Sequence, residues 1–228
     1  MRFVGLLGYP LAKSLSPRMQ NAAFAELGLD WSYALVPVRE GHVEQAVSGL
    51  VELGFAGANV TIPHKRAVAA LCDEAEGEAV NTLVFDDGRV LGFNTDREIV
   101  RGIEAKHVCL IGAGGAAAAL LPALTGEVRM FSRSGDWPPD TEGCDLVVNA
   151  TPVVDELLVQ PCEGQTVVDL AYRDDGRDTA LVAAARAAGC DVVDGLEALV
   201  RQGAAAFERW TGVAAPLDVM RRAVRSAA

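Results

Sequence analysis

The stretch Val108-Cys109-Leu110-Ile111-Gly112-Ala113-Gly114-Gly115-Ala116-Ala117 decides the fold class. Four apolar residues, with β-branched Val and Ile among them, run into three glycines and then into an alanine- and leucine-rich segment. That order predicts a buried strand, a tight turn and a helix start, the opening of a dinucleotide-binding βαβ unit. The spacing is G-x-G-x-x-A. Gly112 permits the tight turn, Gly114 lets backbone approach a pyrophosphate, and Ala117 allows close helix–strand packing. N–H groups at the new helix start would face the phosphates, with the helix dipole favouring their charge. Glycines also punctuate ordinary strand-to-helix turns, so the neighbouring segments must support the reading.

Downstream, Val128-Arg129-Met130-Phe131 is the second strand of the unit, followed by Ser132-Arg133-Ser134. This is about twenty residues beyond the glycines, where an NAD site places an acid for the ribose 2′-hydroxyl. Arginine and hydroxyls instead suit a 2′-phosphate through charge-assisted hydrogen bonds, so NADP is favoured over NAD; a solvated loop arginine is the bland alternative. Leu146–Ala150, Thr166–Tyr172 and Asp191–Gly195 read as further strands, Thr179–Ala188 as a helix, and 196–228 as two helices broken near Pro216.

Upstream, residues 3–7 make a first strand, followed by a loop carrying Ser14 and Ser16. Ser16-Pro17 has the form of a helix N-cap followed by proline, which gives Ser16 a structural role and leaves Ser14 without one. That helix stops at Gly28. Strands over 31–38 and 57–63 flank a helix from about Gly41 to Leu53. Lys65 opens a helix reaching about Cys72, where a lysine gains nothing from the dipole and reads locally as a solvated residue. His64 reads as structural. Ala79–Phe85, Asp86-Asp87-Gly88 and Val90–Phe93 form a hairpin, delivering Asn94-Thr95-Asp96 to a strand end. On local signal Asp96 is an N-cap for a helix from about Arg97 to Ala105. Strands alternating with helices predict an α/β protein with mainly parallel sheets.

The 228 residues are 50% hydrophobic, enough for one large or two small domains, and carry a net charge of -11. That charge argues against nucleic acid or an anionic membrane as partner. No long uncharged apolar run predicts a membrane span, and the glycine-broken N-terminus is too short for a secretory signal. Five scattered cysteines without a C-x-x-C pair, and three histidines without ligand spacing, predict reduced thiols, no metal and a cytoplasmic protein.

Taken together these segments resemble the shikimate dehydrogenase family, with its quinate and aminoshikimate relatives, along nearly the whole chain. The resemblance rests on Gly8-Tyr9-Pro10 with Ser14-x-Ser16-Pro17, and on Ala58-Asn59-Val60-Thr61-Ile62-Pro63-His64-Lys65. Ala79-Val80-Asn81-Thr82, Asn94-Thr95-Asp96 and the glycine turn continue it, followed by Ser132-Arg133-Ser134 and Asn149-Ala150-Thr151-Pro152. Asp194-Gly195-Leu196 with Gln202 completes it. The resemblance implies a substrate-binding α/β domain over 1–95, a Rossmann-type NADP-binding domain over 96–195, and C-terminal helices over 196–228 packing back on the first domain. It implies NADP-dependent, reversible reduction of 3-dehydroshikimate to shikimate in aromatic amino-acid biosynthesis, by a monomer or homodimer. Lys65 and Asp96 would form the catalytic pair. Ser14, Ser16, Thr61, Asn81, Tyr172 and Gln202 would hold the hydroxyls and carboxylate of the ring acid. Gly112, Ala113, Gly114, Gly115, Ala116, Ser132, Arg133, Ser134, Ala150, Thr151, Leu170 and Gly195 would hold the cofactor.

The chain departs from the family pattern in being short. Little remains between Lys65 and Asn81, and a Trp137-Pro138-Pro139 loop replaces a helix and strand after Ser134, trimming one βα unit. Glu78, Arg97 and Ile99 stand where glycines are usual, and Val153-Val154 replaces a glycine-containing turn. Quinate or aminoshikimate as substrate, or a ligand-binding paralogue with little dehydrogenase activity, are the alternatives these departures leave.

Overall fold

In a computed structural model of the protein, residues 1–11, 14–173 and 175–226 are described. Ala12 and Lys13 of the serine loop and the last two residues of the 196–228 segment lie outside them. The chain divides into two units, Met1–Thr95 with Gln202–Val224, and Asp96–Arg201 rejoined from Arg225.

The first unit is built on a mixed sheet. Strands β1 (Arg2–Gly8), β2 (Trp31–Pro37) and β3 (Gly57–Val60) run parallel. Strand β5 (Thr82–Asp86) is antiparallel to β3, and β6 (Arg89–Phe93) is antiparallel to β5. A two-residue β4 (Glu74–Ala75) completes the order β2-β1-β3-β5-β6-β4. Asp87 and Gly88 at the β5–β6 turn both have positive φ (47° and 78°), as a tight two-residue hairpin requires. Helices α1 (Ser16–Glu26), α2 (Val43–Glu52) and α3 (Lys65–Ala69) belong to this unit. Leu7, Val47, Leu50, Val60, Val68 and Leu83 share its core.

The second unit holds a fully parallel sheet. Its strands are β7 (His107–Ile111), β8 (Glu127–Phe131), β9 (Leu146–Asn149), β10 (Thr166–Asp169) and β11 (Asp191–Val193), ordered β11-β10-β9-β7-β8. Alternate residues serve opposite faces. Val108, Leu110, Leu146, Val148 and Val168 enter one core cluster, while Cys109, Ile111, Val147 and Val167 enter the other. Both faces are covered, which is why the run 108–111 is continuously apolar. Helices α4 (Gly115–Leu120) and α5 (Ala180–Ala187) belong here. Helix α6 (Gly195–Thr211) passes from this unit into the first, and α7 (Leu217–Arg225) follows. Trp210 of α6 donates its indole N–H to Leu83 O at 2.8 Å, and Gln20 Nε2 donates to Gly203 O at 2.9 Å, so α6 is joined to the first sheet and to α1.

Several helices are shorter than the sequence pattern suggests. Pro122 lacks the N–H that would extend α4, so that helix passes into a 3₁₀ turn over Leu121–Ala123. The predicted helix from Arg97 to Ala105 is a 3₁₀ segment, Thr95–Ile99, and Gly102 at φ +78° turns the chain out of it. Helix α3 stops at Ala69 because the chain is captured by the sheet: Asp73 N–H donates to Val90 O at 2.8 Å. Strand β3 ends at Val60 rather than Pro63, since Thr61 and Ile62 turn toward the β1 loop. Between β8 and β9 the chain returns through a loop in which no helix forms, consistent with a trimmed unit.

Candidate active site

In the first unit, sheet topology gathers the polar candidates at one edge. The carboxyl ends of parallel β1 and β3 point the same way, and antiparallel β5 brings its amino end beside them. The loops there are laced together. Thr61 N–H donates to Leu7 O at 2.8 Å, Tyr9 N–H to Ile62 O at 3.0 Å, and Val60 N–H to Asn81 O at 2.7 Å. Ser14 and Ser16 follow β1, Thr61 and Lys65 follow β3, and Asn81 precedes β5. Gln202 lies on α6 next to Gly203, whose carbonyl is held by Gln20, one turn into α1.

The serines exchange the roles read from sequence. Ser16 is the first residue of α1, not its cap, and is buried, while Ser14 Oγ accepts the Ser16 N–H at 3.3 Å. The short loop lets Ser14 reach one residue past the cap position, so Ser14 acquires the structural contact and Ser16 is enclosed. Lys65 is backed by firm structure. His64 is 2% exposed, with Nε2 2.7 Å from Val38 O, and Lys65 O accepts Val80 N–H at 3.0 Å.

Asn81 is held by a buried polar network that sequence spacing does not announce. Its Oδ1 accepts from Thr95 N–H at 2.8 Å, Thr95 Oγ1 at 3.1 Å and Thr82 Oγ1 at 3.0 Å. Asn59 Nδ2 donates to Thr82 Oγ1 at 3.0 Å, and Tyr33 donates its phenol O–H to Asn59 Oδ1 at 2.9 Å. Burial raises the Tyr33 pKa well above the ordinary phenol range, with the Ser16 hydroxyl a smaller opposing influence, so Tyr33 stays a neutral donor. The amide oxygen of Asn81 is thereby committed to Thr82 and Thr95. Thr95 is held in the same network, immediately before Asp96.

In the second unit, Asp96 is 8% exposed and lies inside the 3₁₀ segment, not at an N-cap. Arg97 pairs with Glu98 (3.7 Å), and Ile99 fills the core rather than leaving the gap a glycine would. Gly112 has φ +120°, and a Cβ there would meet Ala150 C and O at 3.2 Å, so only glycine makes this turn. Gly114 and Gly115 border open space. The first N–H groups of α4, from Gly115 and Ala116, have no partner in the helix by its geometry and follow directly on Ala113-Gly114. Ala117 is 1% exposed, packed as the third position of the motif requires.

At the end of β8, Ser132 and Ser134 hydroxyls are 3.2 Å apart, and Arg133 Nη2 lies 2.8 Å from Glu156 Oε2. Arg133 Cζ also stands 5.5 Å from the Trp137 ring centroid. At the end of β9, Asn149 Oδ1 accepts from Thr151 N–H (2.9 Å) and Oγ1 (2.7 Å), shaping the Ala150-Thr151 turn. Asn149 Nδ2 donates to buried Asp169 Oδ1 at 2.8 Å. Asp169 also accepts from Ala171 N–H at 3.0 Å and Thr179 Oγ1 at 2.5 Å, so it organises the segment holding Leu170 and Tyr172. Gly195 starts α6 against the Ala171 carbonyl, too close for any side chain. Sequence reading missed Asp169; its one signal was an ionisable residue closing an otherwise apolar strand. Glycines facing open space beside a helix start, with an arginine at the end of the next strand, fit a phosphorylated dinucleotide.

A model of the shikimate dehydrogenase substrate binding domain matches residues 6–83, and one of the shikimate 5′-dehydrogenase C-terminal domain matches 195–225. The shikimate dehydrogenase (NADP(+)) of Methanothermobacter thermautotrophicus is 36% identical, over 97% of this chain and 95% of that protein. The chain belongs to the shikimate dehydrogenase family. A second family relative so named, from Rubrobacter xylanophilus, is 40% identical over 97% of this chain and 94% of its own. The crystal structure of the Thermus thermophilus shikimate 5-dehydrogenase in complex with NADP(H) and shikimate superposes with a TM-score of 0.88. It is 31% identical and each chain is covered completely. Alignments to the two relatives extend over 270 and 275 positions against 228 residues here, so within the aligned span this chain lacks segments that those relatives carry.

Proposed function

We propose that the chain catalyses the NADP-dependent, reversible reduction of 3-dehydroshikimate to shikimate. The observation that carries this reading is correspondence along almost its full length with enzymes named shikimate dehydrogenase (NADP(+)), in a chain that keeps Lys65, Asn81 and Asp96 at its strand ends. When bound, NADPH supplies a hydride to the carbonyl carbon. Negative charge then develops on the carbonyl oxygen, and the Lys65 ammonium stabilises it and delivers the proton. Asp96 orients Lys65 and a ring hydroxyl. Ser14, Ser16, Thr61, Asn81, Tyr172 and Gln202 bind the hydroxyls and carboxylate. Such groups reject analogues lacking a ring hydroxyl, because a buried donor or acceptor would be left unpaired. Gly112, Ala113, Gly114, Gly115 and Ala116 hold the pyrophosphate, and Ser132, Arg133 and Ser134 hold the 2′-phosphate. Ala150, Thr151, Leu170 and Gly195 line the nicotinamide side.

No helix among the described residues is long and apolar enough to cross a membrane. On this reading the protein is a cytoplasmic enzyme working as a monomer or homodimer. The test is nicotinamide absorbance with purified protein, shikimate, and NADP⁺ or NAD⁺ in parallel. Reduction of NADP⁺ supports the proposal. Absence of turnover with either cofactor, while shikimate still binds by calorimetry, would replace it with a ligand-binding paralogue.

A further inference from the structure

The segment after Thr151-Pro152 is an acidic strap pinned on both sides. Val154 O accepts Ala180 N–H at 2.8 Å, and Leu158 and Val159 are buried in the cluster formed with Val147 and Val167. Within the strap, Asp155 pairs with Arg173, whose side chain is 20% exposed. Glu156 is therefore presented from a fixed backbone, and its carboxylate sits on Arg133 at 2.8 Å while Trp137 lies against the same guanidinium.

An exposed pair of this kind adds little stability. Its consequence is for what Arg133 can bind. A 2′-phosphate must displace the carboxylate from the guanidinium and then tolerate a neighbouring negative charge. An unphosphorylated ribose pays neither cost and meets an acidic acceptor of the type that NAD sites use for the 2′-hydroxyl. We propose that Glu156 is a specificity-determining residue that moderates the preference for NADP over NAD by occupying Arg133 in place of the 2′-phosphate. The inference rests on the reading above that Arg133 receives that phosphate.

Calorimetric dissociation constants for NADP⁺ and NAD⁺, which differ by this one phosphate, test it on the full chain. In Glu156→Gln, NADP⁺ binds about three- to fivefold more tightly while NAD⁺ gains nothing, and the gain shrinks as salt rises from about 0.02 to 0.5 M. Glu156 is exposed, so a thermal midpoint matching the parent's shows the variant folded. Arg133→Gln abolishes the preference for NADP⁺. If Arg133→Gln abolishes it but Glu156→Gln leaves the preference for NADP⁺ unchanged or weaker, the role of Glu156 is overturned and the cofactor reading stands. If Arg133→Gln leaves the ratio unchanged, the cofactor reading of Arg133 fails, and the inference fails with it.

Discussion

Lys65 illustrates how a single residue's chemistry is set by its backbone. At a helix start its charge is unsupported by the dipole, yet the turn carrying it is fixed through His64 to Val38 O and through its own carbonyl to Val80. Structure at this position thus fixes the backbone that carries the ammonium. Lys65→Ala should lower kcat by about 10²- to 10⁴-fold, the range of a lost general acid. The thermal midpoint should hardly move, because no buried apolar surface is removed. Steady-state kinetics beside a melt separates the two; full turnover in the variant would remove Lys65 from the chemistry. Asn81 shows the limit of reading residues singly. Its motif was legible, but the network through Thr82, Asn59 and Tyr33 joins positions up to 26 apart on β5, β3 and β2, which no local pattern encodes.

At the scale of elements, most strands were legible as apolar or alternating runs or as a hairpin with its own turn signal, while the two-residue β4 (Glu74–Ala75) carries no such signal and was not read. The helices after Gly114 and Asp96 were overread because alanine content and periodicity set aside the breakers Pro122 and Gly102. The strand ends matter most, and β10 carries a prediction of its own. Burial holds the Asp169 carboxyl above the usual range, against hydrogen bonds from Thr179, Ala171 N–H and Asn149 that favour the ionised form. A raised folded pKa means the native state holds its proton more tightly than the unfolded chain. That contribution is fully present below the unfolded value of about 3.9 and is lost as pH rises through the folded one. The stability advantage of the parent over Asp169→Asn should therefore shrink as pH rises from below the unfolded carboxylate value through the raised folded one. Asp169→Ala leaves Asn149 Nδ2, the Ala171 N–H and the Thr179 hydroxyl without their acceptor and should cost about 2–3 kcal/mol throughout. Denaturant unfolding across a pH series reads both; a pH-independent gap for the asparagine variant would contradict the assignment.

At the scale of the whole molecule, the return of the chain's end to its middle is organised by one carboxylate. Asp194 accepts the Glu197 N–H at 2.9 Å, capping the start of α6. Arg225, from the end of α7, donates to both of its oxygens at 2.9 and 3.1 Å, and Arg186 of α5 reaches it at 2.9 Å. The family motif Asp194-Gly195-Leu196 was visible in sequence, but the two arginines that converge on it come from other helices, and only folding brings them there. Burial alone would raise the Asp194 pKa; hydrogen bonds from Arg225 and the Glu197 N–H, with the charges of Arg225 and Arg186, outweigh it and hold the carboxyl below the usual range. The sign is opposite to that of Asp169. Stability from this group is present above the unfolded carboxylate value and is lost as pH falls through the folded one. Asp194→Asn keeps an oxygen for the helix cap but removes the charge, and should cost about 1 kcal/mol at pH 7, discounted for the exposed arginines. Because protonation of the parent's carboxyl removes the same charge, parent and variant should converge as the pH drops below the carboxylate range. Unfolding curves at pH 7 and near pH 3 decide it: a gap that persists unchanged in acid would mean the aspartate acts through its cap alone, and its arginine partners contribute nothing.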